Sequence, residues 1–296
     1  MAIIGKFFKW IVAPILLLFL LFVAYGFYTL WKHEMFVEPT FDATAPELPN
    51  ADGKPMVLVF SKTNGFRHID AIPAAHAMFA DFAESENWTL FPTENAAVFN
   101  AEDLAKFDLI VWNNVSGDVF TDEQREAFKA HMEAGGQFLG LHAAGGDREY
   151  AWQWRPQDLI KTQFVSHPNI PHFQDAELIP EDQSHPATRH LPEKWVQNDE
   201  WYTFETSPRD KVNVLVSIDE DSYNPSTWMF GRDLSMGDHP MIWHHKIGEG
   251  RVFYSALGHQ ASSYSDESYR MLLLEASKWL LEKPEDVKPP ERLPAG

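Results

Sequence analysis

The pattern of apolar and polar positions divides the chain into four stretches. From Trp10 the sequence reads WIVAPILLLFLLFVAYGFYTLW, with no charge between Lys9 and Lys32. About 20 apolar residues rising 1.5 Å each match the roughly 30 Å hydrocarbon core of a bilayer, and Trp10, Tyr28 and Trp31 stand where interfacial aromatics stand. Lys6 and Lys9 precede the run, whereas Lys32 alone follows it directly, before Glu34 and Glu38. The inside-positive bias then leaves the remainder outside the cytoplasm. Ala24-Tyr25-Gly26 offers a small-residue cleavage site, but a run reaching Trp31 is long for a signal peptide, so residues 1–32 read as an uncleaved membrane anchor. Residues 33–55, acidic and proline-rich without a period, read as a tether.

From Met56 the pattern changes to that of a folded domain. MVLVFS at Met56 to Ser61 is a strand buried on both faces. A helix follows from Ile69 to about Ala83, with Ile72, Ala75, Met78, Phe79 and Phe82 on one stripe. Strands are expected around Trp88 to Phe91, at Phe107 to Trp112 and at Gln137 to Leu141. Thr121 to Gln124 forms a capping box that starts a helix stopped by Gly135-Gly136. Later strands fall at Val212 to Ile218, Met241 to His245 and Arg251 to Leu257, and a closing helix spans about Asp266 to Leu281. Residues 145–192, rich in His, Pro, Gln and Asp, read as loops over one sheet edge. Strands alternating with helices predict an α/β domain over 56–283 around a mostly parallel, doubly wound sheet. Residues 284–296 form a proline-rich tail.

Composition narrows the function. With 43 acidic against 24 basic residues and a net charge of −19, the surface repels nucleic acid and anionic lipid. No cysteine is present, which excludes disulfides, thiolate metal sites and a cysteine nucleophile. The 11 Trp, 8 Tyr and 22 Phe offer packing faces for sugar rings, although core filling accounts for most of them.

In a doubly wound sheet, ligands bind beyond the carboxyl ends of the strands, so polar residues just after strands have the first claim on chemistry. TNGFRH offers Asn64, Arg67 and His68; GLHAAGG offers His142; NDEWY offers Asp199, Glu200 and Tyr202; LGHQ offers His259. Each taken alone is equally a structural strand-end residue. Trp243 and His244 are further candidates for substrate contact; because side chains alternate along a strand, only one of His244 and His245 can reach a site. His167, His172, His185 and His239 read as His-Pro loop turns, the first pair on a possible pocket rim, and Gly146 to Trp154 as a sugar-binding lid.

The words FRH, GLHAA, HP at His185-Pro186, DEWY and PMIWHHKIGEGRVFYSALGH resemble the trehalose-utilisation (ThuA-like) family over roughly residues 56–283. That family is similar to class I glutamine amidotransferases, which implies a flavodoxin- or amidotransferase-like sheet. The amidotransferase cysteine would fall on the turn Gly140-Leu141-His142-Ala143; without a cysteine, glutaminase chemistry is excluded. The resemblance implies disaccharide catabolism through 3-keto sugars. A ketosugar carries an acidic C–H beside its carbonyl, so isomerisation or cleavage needs a base, an acid and enediolate stabilisation. His142, His259, Glu200 and Asp199 are the acid–base candidates, with Arg67 at the oxyanion and Asn64, His68, Tyr202, Trp243 and His244 around the sugar. Alternatively His68, His142, Glu200 and His259 hold Zn²⁺, Mn²⁺ or Fe²⁺. A non-catalytic sugar-binding module, or a scaffold for a sugar oxidoreductase, is the competing function.

Overall fold

The computed structural model of the chain describes residues 8–227 and 231–282, so Lys6 and the tail at 284–296 lie outside the described residues. In chain order the strands are β1 Met56–Phe60, β2 Thr89–Thr93, β3 Leu109–Asn113, β4 Gln137–Leu141, β5 Phe164–Ser166, β6 Gln174–Pro180, β7 Trp195–Asp199, β8 Thr203–Phe204, β9 Asn213–Ile218, β10 Pro240–Ile247 and β11 Gly250–Ser255. Nine of them form one sheet in the order β2-β1-β3-β4-β11-β10-β9-β6-β7. From β2 to β11 all neighbours run parallel; from β11 to β7 all run antiparallel. The sheet is therefore mixed around a parallel core. The parallel strands are apolar without alternation because helices cover them, and β1 and β3 are buried at every position.

Helices Ala71–Glu86, Asp122–Glu133 and Glu267–Leu281 flank the sheet. The second begins with the expected reciprocal capping box of Thr121 and Gln124. Asp266 caps the third by accepting the Tyr269 amide hydrogen. Most aromatics fill the core: Phe60, Phe99, Trp112, Phe120, Phe128 and Phe138 pack edge-on and stacked at centroid distances of 4.6 to 6.5 Å. Trp152 and Trp154 of the expected lid stack on each other and pack against Phe128.

The His- and Pro-rich region is not all loop. It contains β5 and β6, and β6 pairs antiparallel with β7 just beyond it, both alternating buried and more exposed positions. This half of the sheet curls, because Asp199 at the end of β7 reaches the backbone of Gly258 and His259 beyond β11 although three strands separate β7 from β11 in the order. The curl brings the end of an edge strand over the parallel core.

At the N-terminus, the helix Ala13–Lys32 has no buried residue and stands on the domain as a candidate transmembrane span. The stretch after it does not run free. Asp42 pairs with Lys62 at 2.7 Å and accepts the Ala96 amide hydrogen, while its own carbonyl takes a hydrogen from Gln124. His33 and Arg67 exchange hydrogen bonds, His33 Nδ1 with the Arg67 carbonyl and the Arg67 amide with the His33 carbonyl. Residues 33–44 are thus a strap along the strand ends rather than a loose tether, because their polar side chains and backbone groups find partners there.

Candidate functional site

β1, β4 and β11 are parallel, so the turns after them emerge at one end of the sheet, and β7, antiparallel to β6, ends on the same side. His68, His142, His259 and Glu200 follow these four strands. The chain leaves β4 sharply: His142 sits at φ +44°, a left-handed conformation uncommon for a residue with a Cβ, and the turn aims its ring back over the strand end.

Three donor atoms form a triangle of equal edges. His142 Nε2 lies 3.2 Å from Glu200 Oε2 and 3.2 Å from His259 Nδ1, and His259 Nδ1 lies 3.2 Å from the same carboxylate oxygen. The His68 ring stands beside them, 4.9 Å from His142 and 4.5 Å from His259 between centroids. Ligand atoms of the four residues all fall within 4.8 Å of one another. His142 Nδ1 is 2.7 Å from the Ala256 carbonyl, which can only accept, so Nδ1 carries a hydrogen, and in the neutral ring Nε2 presents a lone pair. That lone pair faces a carboxylate oxygen. Two acceptors at this distance repel unless a proton or a metal cation lies between them. His68 Nδ1 is buried with no hydrogen-bond partner among the described residues.

Electrostatics follow from burial. Burial would raise the Glu200 carboxyl, but the charge of His259 and hydrogen bonds from His142, His172 and His259 hold it well below the usual carboxylate range. Burial likewise opposes charge on His259, yet attraction to Glu200 and a hydrogen bond donated to its carboxylate raise its pKa. Burial, then repulsion from His142 and His259, pushes His68 well below the ordinary imidazole value, which leaves it neutral. Tyr202 lies flat on His142 at 4.2 Å, and its hydroxyl is raised well above its ordinary value by burial and by Glu200. The cluster borders a cavity of about 710 Å³, lined by His68, His172, Phe173 and His259 and, from the N-terminal segment, by Tyr25 and His33.

Several expected contacts are placed elsewhere. Asp199 faces away from the cluster: its carboxylate accepts from the Gly258 and His259 amides and from Ser263 Oγ, so it holds the His259 turn. Asn64 spends its amide on Thr40 and the Asp118 carbonyl, because the strap crosses there. The Arg67 guanidinium is taken by Glu94 at 2.6 Å and by Thr63. Trp243 is fully buried with its indole N–H given to the Ile160 carbonyl, and His244 packs on His185 and Trp279. The expectation of sugar contacts from Asn64, Trp243 and His244, and of an oxyanion contact from Arg67, is corrected accordingly. The opposite correction applies to the loop after β5. His172 Nε2 and His167 Nδ1 both contact Glu200 Oε1, the latter at 3.2 Å. Sequence reasoning assigned both to a His-Pro turn; two histidines five residues apart in one loop were the available signal.

An α/β domain that gathers imidazoles and one buried carboxylate beyond its parallel strand ends is the class of protein that fold and cluster define. The chain belongs to the ThuA family, described as trehalose utilisation, whose pattern matches residues 56–280. A solved ThuA-like protein from Bacteroides uniformis is similar at 24% identity and a TM-score of 0.67, covering 79% of this chain and 95% of that one. Another from Parabacteroides merdae is similar at 18% identity and a TM-score of 0.60, covering 81% and 94%. These likenesses carry the fold. No curated protein matches the chain.

Proposed function

We propose that this chain is a membrane-tethered enzyme that isomerises or cleaves keto-sugar glycosides at a divalent metal site formed by His68, His142, Glu200 and His259. The family supports a carbohydrate-related role. The observation that carries the metal reading is the triangle of donor atoms 3.2 Å on each edge. Nitrogen and oxygen ligands at about 2.0–2.1 Å around a tetrahedral zinc stand roughly 3.3 Å apart, so the three atoms already occupy one face of such a site. The Ala256 carbonyl fixes the His142 tautomer as second partners of metal-bound histidines do. The bound cation would polarise the sugar carbonyl and make the adjacent C–H more acidic. His172, 38% exposed at its side chain, lines the cavity and meets the Glu200 carboxylate from that side. Anionic Glu200 beside His259 also suits proton transfer without metal, and a chelator separates the two readings.

The test uses the full chain in detergent, assayed on 3-keto-disaccharides with metal content measured in parallel. His142→Ala is expected to lower metal occupancy and to reduce turnover by about 10²-fold or more, at a stability cost on the order of 1 kcal/mol. Turnover that survives exhaustive chelation would remove the metal from the mechanism, and unchanged turnover in the variant would remove His142. The placement of the domain outside the cytoplasm rests on Lys6 and Lys9 before the span. A C-terminal reporter that fluoresces only in the cytoplasm is expected to stay dark.

A further inference from the structure

We propose that Glu200 bridges two divalent cations, the second held on Oε1 by His172 Nε2 and His167 Nδ1. This deepens the single-cation reading above and rests on it. The two carboxylate oxygens face different histidines: Oε2 meets His142 and His259, while Oε1 meets His167 and His172. Each set of ligand atoms lies within 4.8 Å, and Glu200 is the residue common to both. Glu200 is almost fully buried, so a carboxylate whose two oxygens both meet imidazoles has little water to share its charge.

The second set carries a further donor. His167 Nδ1 lies 2.9 Å from the Pro168 carbonyl oxygen. Without a cation Nδ1 would carry the ring hydrogen toward that carbonyl; with one bound, the hydrogen would sit on Nε2, and Nδ1 and the carbonyl oxygen would be two ligands at about the edge length of a polyhedron around a first-row cation, where ligands at about 2.1 Å stand roughly 3 Å apart. The mixture of imidazole, carboxylate and carbonyl suits Mn²⁺, Fe²⁺ or Zn²⁺. Asp199 and Asp70 act on His259 as negative charges and offset part of the added positive charge.

Cations bridged by one carboxylate stand about 3.5–4 Å apart and clamp two oxygens of a bound substrate. A keto sugar with a neighbouring hydroxyl offers two such oxygens, and both carry charge in the enediolate. His68 and His259 of the first position and His172 of the second all line the cavity, so one substrate held there would face both positions.

The experiment is metal stoichiometry on the full-length protein, stripped with chelator and dialysed to equilibrium against Mn²⁺, with content measured by mass spectrometry. Two ions per chain are expected in the wild type, and one in His167→Ala/His172→Ala. A single ion in the wild type, unchanged in the double variant, overturns the second site and leaves the first standing; no bound ion at all overturns both. Should the double variant fail to fold, the wild type decides: paramagnetic resonance is expected to show an exchange-coupled Mn²⁺ pair, and isolated Mn²⁺ alone refutes the bridge.

Discussion

At the scale of single residues, strand ends act as mounting points and neighbouring backbone sets their aim. Asp199 shows the difference between a group in the cluster and one that positions it. Its carboxylate takes hydrogens from two amides and a hydroxyl of residues 258–263, so it fixes the turn on which His259 sits. Asp199→Asn replaces one acceptor oxygen by an amine that faces donors. We expect about 2 kcal/mol lost from stability and a 10- to 100-fold loss of Mn²⁺ affinity, read by chemical denaturation and by titration of the stripped protein. Metal affinity equal to wild type would reduce Asp199 to an ordinary buried carboxylate. His185 and His245 make a separate prediction. Burial depresses both to about 4, that of His185 further through the nearby His244, and that of His245 against an opposing hydrogen bond that it donates to the Asp158 carbonyl. Their folded values lie below the unfolded value near 6.5, so the unfolded chain binds more protons as pH falls. Their contribution is complete above pH 6.5 and is lost as pH falls toward 4, by roughly 3 kcal/mol per imidazole at most. Urea unfolding at pH 7, 5 and 4 measures the slope. His185→Gln removes one titrating group and should flatten it; a slope identical to wild type rules His185 out as a source.

At the scale of elements, the parallel half was legible and the antiparallel half only partly. β1, β3 and β4 are short apolar runs because both faces are covered, and such runs announce themselves without any alternation to decode. β6 and β7 do not. Gln174–Pro180 and Trp195–Asp199 alternate buried and exposed residues, but polarity does not follow burial: Ile179 and Val196 are exposed while Gln174, Gln197 and Asp199 are buried, so no apolar alternation marks the strands. The consequence reached the site. His68, His142 and His259 follow strands that sequence could place, and their ligand atoms lie with that of Glu200 within 4.8 Å of one another. His167 and His172 follow β5, a three-residue strand with no usable pattern. Trp243 and His244 were misplaced for another reason: both lie in mid-strand on β10, where side chains meet covering layers rather than the open end of the sheet.

At the scale of the whole molecule, the N-terminal segment joins the site to the candidate membrane span. Tyr25 and His33 line the same cavity as His172 and His259, and His33 stacks on Phe66 at 4.3 Å. The strap that follows supplies partners to groups that are otherwise buried: Lys62 is 7% exposed and its ammonium meets Thr40 and Asp42. Removing the strap leaves that ammonium without its counter-charge, the Gln124 amide without the Asp42 carbonyl and the Ala96 amide without its acceptor. Water enters to replace them only in part. Soluble chains starting at residue 33 and at residue 46 are therefore expected to differ in stability by about 2 kcal/mol, which for a domain of this size lowers the melting temperature by roughly 4–8 °C. Asp42→Ala in the longer chain should reproduce about half of that difference. Calorimetry of the three proteins checks it, and equal melting temperatures for the two chain lengths would mean that the strap lies on the domain without holding it.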